Sequence, residues 1–145
     1  MNIDTKNLLD KILDAPVGQV VTVLEENLKC NVKLEVIEQN TITPNQFVRN
    51  VLITAQGLPV VKANVKFDST VLPEFIMAEI LKRRQGIGTI LNGNHIRATR
   101  NIISLNRVPE ENKVSREYEI IYNGVIWFTI SEEIRLDSLS SNNNS

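Results

Sequence analysis

Two charged residues fall on strand faces that are otherwise apolar. From Phe47 to Ala55, alternation with period two puts Phe47, Arg49, Val51 and Ile53 on one face. In the last apolar stretch Ile126, Phe128, Ile130 and Glu132 share a face, and Glu133 takes the other. A guanidinium and a carboxylate aimed at a core carry a heavy desolvation penalty unless something pairs with them. A structural ion pair would satisfy both, as would a local twist that carries them to an edge. A bound ligand would also do so. Arg49 would then clamp a planar anion, and Glu132 would orient the ligand or relay a proton, a role favoured by a pKa raised through burial.

Other chemistries lack their residues. There is no phosphate loop, no dinucleotide glycine pattern and no triad, because His95 is the single imidazole. His95 follows Asn92-Gly93-Asn94 and reads as a surface loop residue. Cys30, the single cysteine, follows an amphipathic segment and reads as a small helix-end or core residue; it excludes an internal disulfide and agrees with a reducing compartment. One His and one Cys are too few for a zinc site, so no metal is expected. Tyr118, Tyr122 and Trp127 are too scattered to stack nucleic-acid bases and suit sheet packing. A formal charge of −1 gathers neither nucleic acid nor an acidic membrane, so anion binding must come from individually placed Arg or Lys.

The elements that must position these residues follow from periodicity. Leu8, Leu9, Ile12 and Leu13 predict a first helix ended by Pro16-Val17-Gly18, and Val20, Val21, Leu24 and Leu28 a second over 19–29. A strand runs from Asn31 to Thr43. The runs Phe47 to Ala55 and Val60 to Phe67, joined at Gln56-Gly57-Leu58-Pro59, form an antiparallel hairpin. Leu72-Pro73-Glu74 opens a helix with the stripe Ile76, Met77, Ile80 and Leu81, and Lys82-Arg83-Arg84 is its solvated basic end. Gly86-Ile87-Gly88 turns into a short helix whose first N–H groups are free to face an anion. Strands over about 95–107, 115–122 and 125–136 complete the chain, the last two joined at Asn123-Gly124.

The sum is an α+β domain, a single six-stranded antiparallel sheet with helices packed on it. The 145 residues, 42% hydrophobic and 23% charged, suit one domain over 1–137, with 138–145 a disordered polar tail. Without a signal-type core or an apolar run of ~18 residues, the chain reads as soluble and cytoplasmic, and a monomer is the default.

Six blocks carry a family resemblance: Val17 to Glu25, Val48-Arg49-Asn50-Val51, Leu58-Pro59 with the strand after it, Gly86 to Leu91, Ser115-Arg116-Glu117-Tyr118, and Ile130-Ser131-Glu132. In this order and spacing they resemble the chorismate pyruvate-lyase family, from about residue 8 to 134. The resemblance implies a cofactor-free elimination of pyruvate from chorismate to give 4-hydroxybenzoate, in which orientation of the substrate supplies up to roughly 7–11 kcal/mol. It puts the carboxylate clamp on Arg49, the ring-hydroxyl contact on Glu132, and backbone contacts on Ile87, Gly88 and Val20. Arg100 resembles a basic position that meets the second carboxylate, and Ala63 stands beside the pocket where relatives often have glycine. The ligand-binding domains of one group of bacterial transcription regulators resemble the same fold, which makes a non-catalytic aromatic-carboxylate-binding domain the alternative. Such sensors normally follow a DNA-binding helical domain, for which about thirty residues are too few, so lyase activity is the expectation.

Overall fold

A computed structural model describes residues 3–143. Helices α1 (Ile3–Asp14) and α2 (Val20–Leu28) precede strands β1 (Val32–Thr43), β2 (Gln46–Ala55) and β3 (Leu58–Asp68). Helices α3 (Glu74–Leu81) and α4 (Ile87–Gly93) lead to β4 (Thr99–Val108), a 3-10 turn at Pro109–Glu111, β5 (Lys113–Tyr122), β6 (Val125–Arg135) and α5 (Leu136–Asn143). The six strands form one sheet in the order β1-β2-β3-β6-β5-β4, every neighbouring pair antiparallel. Two three-stranded meanders are thus joined side by side through β3 and β6. The α+β architecture read from hairpin and helix periodicity is the one observed. Among the described residues no helix is long and apolar enough to cross a membrane.

Two differences have local causes. The fourth strand begins at Thr99 rather than near 95, because His95 takes a left-handed backbone (φ +58°) at the exit of α4. Residues 138–143, read as part of a disordered tail, belong to α5, where Leu136 and Leu139 are buried against α1 and the sheet. Two leucines spaced three apart suffice to dock an otherwise polar helix turn. The remaining tail residues, 144 and 145, lie outside the described residues.

The helices cover one face of the sheet in two separate cores. In one, α3 and α4 pack Ile76, Ile80, Ile87, Ile90 and Leu91 on Val65, Phe67, Ile120, Phe128 and Ile130. In the other, α1, α2 and α5 pack Leu9, Ile12, Leu24 and Leu139 on Ile53, Val61, Val114 and Ile134. Strand pairing places one cross-strand row between them: Val51, Ala63, Glu132 and Arg116 stand directly opposite one another on β2, β3, β6 and β5. The adjacent row carries Gln39, Arg49, Val65, Ile130 and Tyr118. The inward charges therefore stand at and beside the seam where the two cores meet.

Candidate functional site

Arg49 points inward as its parity requires and is fully buried. Its guanidinium is occupied by the protein itself. Nε donates to Gln39 Oε1 at 2.8 Å, Nη1 to the Gln85 carbonyl at 2.6 Å and Nη2 to the Ile80 carbonyl at 2.8 Å. Ile80 lies in the last turn of α3, where the helix dipole is negative, and its carbonyl also accepts from the Arg83 N–H at 3.1 Å. Arg49 therefore ties the α3–α4 connection to the sheet. Burial, followed by repulsion from Arg83, lowers its pKa to about 10, still far enough above neutrality to keep the charge. The expected carboxylate clamp is a structural clamp, with three neutral oxygens in the anion's place.

Glu132 is half-buried and also inward, but it does not meet Arg49, which lies two strands away in the next row. Its Oε1 accepts from Arg116 Nε at 2.6 Å, and its Oε2 accepts from the Tyr118 hydroxyl at 2.5 Å. Burial first, and then the Glu132 charge and hydrogen bond, hold the Tyr118 phenol well above the usual phenol range, so it stays a donor. Arg116 is buried and was missed as a site residue, although parity on β5 puts Arg116, Tyr118 and Ile120 on the same face. Its Nη1 donates to the Leu13 carbonyl at the end of α1 at 3.1 Å, and its Nη2 is buried with no hydrogen-bond partner among the described residues.

At the seam lies a cavity of about 100 Å³. Val20 and Val21 of α2, Gly86 to Thr89 around the start of α4, and Ala63, Val65, Tyr118, Ile130 and Glu132 of the sheet line it, together with Arg100 of β4. Five of the expected contact residues, Val20, Ala63, Ile87, Gly88 and Arg100, thus converge with Glu132 on one space, and Arg49 is not among the lining residues. Arg100 lies against the Tyr118 ring, its guanidinium carbon 4.7 Å from the ring centroid; Arg116 does the same at 4.9 Å. Arg100 Nη1 donates to the Ala15 carbonyl at 2.7 Å, while its Nε is buried without a partner among the described residues.

The cavity's cover depends on one close approach. Gly18, at φ +85°, and Gly88 meet backbone to backbone, and a Cβ on either would fall inside the other's van der Waals shell. Asn92 Nδ2 donates to the Val17 carbonyl at 2.9 Å across the same junction. The opposite face of the sheet holds a wider hollow of about 800 Å³, lined by Asn50, Lys62, Asn64, Ser115, Glu117 and Ser131 together with the apolar Ile37 and Leu52. The polar side chains are what an uncovered antiparallel face requires in water. The remaining singled-out residues stand apart from the cavity: His95 is exposed, Cys30 is half-buried beside the second core, and Trp127 packs at a tilt on Tyr122, ring centroids 4.9 Å apart.

No protein-family model and no curated protein sequence matches this chain. Solved structures do share its fold. PhnF from Mycobacterium smegmatis superposes with a TM-score of 0.61 at 10% identity, over 92% of this chain and 79% of that one. The effector domain of PhnF gives 0.58 at 11% identity, over 84% and 92%. A possible transcriptional regulator, YydK from Bacillus subtilis, gives 0.53 at 13% identity over 75% of this chain, which spans 60% of the YydK chain. At these identities the likeness is one of fold, the chorismate lyase-like fold with its single antiparallel sheet. The expectation of a chorismate lyase is corrected by these neighbours, which are a possible regulator and an effector domain. The site agrees with the correction. Its two charges are already satisfied by protein groups. An engineered apolar cavity of about 150 Å³ is what holds a benzene ring, and this cavity is smaller.

Proposed function

We propose that this chain is a non-catalytic effector-binding domain that takes a small carboxylate into the seam cavity. The observation that carries the reading is the position of Arg100 in the wall of an otherwise largely apolar space, with a buried Nε that has no hydrogen-bond partner among the described residues. Arg100 and Arg116 both lie against the Tyr118 ring, and the carboxylate of this cluster, Glu132, is ion-paired to Arg116. One positive charge is left over, and a monoanion would balance it.

Size selects within the class. Scaling from the benzene-sized cavity, the space takes about four to five non-hydrogen atoms, the size of acetate or propionate. An aromatic carboxylate such as 4-hydroxybenzoate is the larger member of the class and requires α2 or α4 to give way. Affinity for so small a ligand is capped near the micromolar range, at about 1.5 kcal/mol per non-hydrogen atom. Val20, Ile87 and Gly88 would contact the ligand body, Ala63 would set its depth, and Arg49 and Glu132 would position the walls.

The test is calorimetric titration of the full chain with acetate, propionate, benzoate and 4-hydroxybenzoate, repeated on Arg100→Gln and on Ala63→Phe, which fills the cavity. Saturable binding of at least one carboxylate to the parent chain, abolished by Ala63→Phe, is the expected result. If none of the four binds the parent chain, the reading is wrong.

A further inference from the structure

Both guanidiniums of the seam also hold the C-terminal end of α1. Arg100 Nη1 donates to the Ala15 carbonyl and Arg116 Nη1 to the Leu13 carbonyl, at 2.7 and 3.1 Å. Neither contact is local in the chain, for Arg100 sits on β4 and Arg116 on β5. The carbonyls at the end of a helix lack intrahelical donors and carry its negative dipole, so two cations there fasten α1 to the sheet. Each guanidinium has a second connection, to the cavity. Arg100 lines it directly, and Arg116 is ion-paired to Glu132, which lines it. Residues 15–19, which link α1 to α2, complete the circuit, because Val17 and Gly18 line the same space beside Val20 of α2.

We infer that an anion bound in the cavity tightens the hold of the sheet on the α1–α2 connection through Arg100. Nη1 is committed to Ala15, so the edge of the guanidinium formed by Nε and Nη2 is the one left for a carboxylate, and a fork of two parallel bonds is its preferred mode. Binding on that edge satisfies the orphaned Nε, leaves the Ala15 bond intact and adds a third restraint to a side chain held by that bond and by the Tyr118 ring. The pair Glu132–Arg116 supplies a second and parallel route to Leu13. By linkage, whatever loosens the end of α1 weakens the anion by the same factor.

This inference rests on the proposed carboxylate site, and hydrogen exchange separates the two. Amide exchange of the full chain is followed across residues 12–19 with and without saturating propionate, with propionate binding measured independently by titration. Slowing of about fivefold in that segment, the equivalent of one ordinary hydrogen bond, is expected in the parent chain. No slowing is expected in Arg100→Lys, which keeps the charge but cannot hold the anion and Ala15 on separate edges. Arg116→Lys, which retains a partner for Glu132, is expected to show a reduced effect. Propionate binding without slowing at 12–19, or equal slowing in Arg100→Lys, overturns the inference and leaves the binding site standing. Absence of binding to the parent chain overturns both.

Discussion

The Tyr118 hydroxyl donates to Glu132 Oε2 at 2.5 Å from the neighbouring strand and the neighbouring row. That single bond decides what Glu132 can do. With Arg116 on its other oxygen, the carboxylate is held between two donors, and the raised phenol pKa keeps the Tyr118 proton in place. Glu132 is a wall of the site, each of its oxygens already accepting from a protein donor.

Tyr118→Phe should therefore leave Oε2 unpaired at the seam. A loss of about 1–3 kcal/mol is expected, measured by urea denaturation. A change within experimental error would mean that water reaches Glu132 and that the seam is wetter than its apolar lining implies.

Arg49→Met should cost about 3–5 kcal/mol, because Gln39 Oε1 and the Gln85 carbonyl lose their donor while the Ile80 carbonyl keeps only Arg83 N–H and Gln39 Nε2. Arg49→Lys, which reaches one of these oxygens, should cost about 2 kcal/mol. The pH dependence has a definite sign. The folded-state pKa, about 10, lies below the ordinary guanidinium value of the unfolded chain, so stability from this group is fully present above that ordinary value and is lost as pH falls through about 10. At neutral pH the buried charge is a cost that its three hydrogen bonds offset. Alkaline titration of stability in the parent chain and in Arg49→Lys measures the difference, and a lysine variant as stable as the parent would contradict the clamp.

These two residues also show what the sequence held and what it did not. Period-two alternation placed Arg49 and Glu132 on the inner face, and the hairpin turns gave the antiparallel sheet, since both depend only on local spacing. Partner choice depends on which strands lie side by side. The β3–β6 pairing sets Glu132 beside Arg116 rather than Arg49, and nothing in local spacing encodes it. Arg116 was legible as an inward residue of Ser115-Arg116-Glu117-Tyr118, yet its role needed that neighbour. Arg49 finds Ile80 and Gln85 only because α3 returns over β2, a relationship between elements thirty residues apart. The docking of α5 escaped notice because two leucines in a polar stretch leave little periodicity to read.

Glu133, the outward neighbour of Glu132, should shape the acid limb of stability. Lys113 donates to its Oε1 at 3.1 Å, and that bond chiefly holds the Glu133 carboxyl below its ordinary pKa. A depressed folded pKa means that the contribution is present above the unfolded carboxylate pKa and is lost as pH falls through the folded value. Thermal melting from pH 6 downwards should accordingly drop less steeply in Glu133→Gln than in the parent chain. Parallel curves would assign the acid limb to other carboxylates.

Gly88→Ala tests the cover of the cavity. The added Cβ would press on Gly18 Cα and N, which are backbone atoms and cannot swing aside as a side-chain tip would. A cost of about 1–3 kcal/mol is expected, with weakened propionate binding, because both glycines line the space. Gly93→Ala is the control: a Cβ there meets nothing within 4 Å, and stability should hold or rise.

Ala63→Gly tests whether size alone sets ligand choice. Ala63 stands directly opposite Val51 and Glu132 in the seam row, and its methyl faces the cavity. Removing it lengthens the space where the far end of a ligand would rest, at a backbone cost of about 0.5–1 kcal/mol for glycine in a strand. If rigid walls limit the site, benzoate should gain affinity relative to propionate by roughly the worth of one methylene, about 0.8 kcal/mol or fourfold. Paired titrations on the parent chain and the variant give that ratio directly. An unchanged ratio with both ligands bound would mean that α2 and α4 already move apart on binding. The cavity seen here would then be the closed form of a larger one.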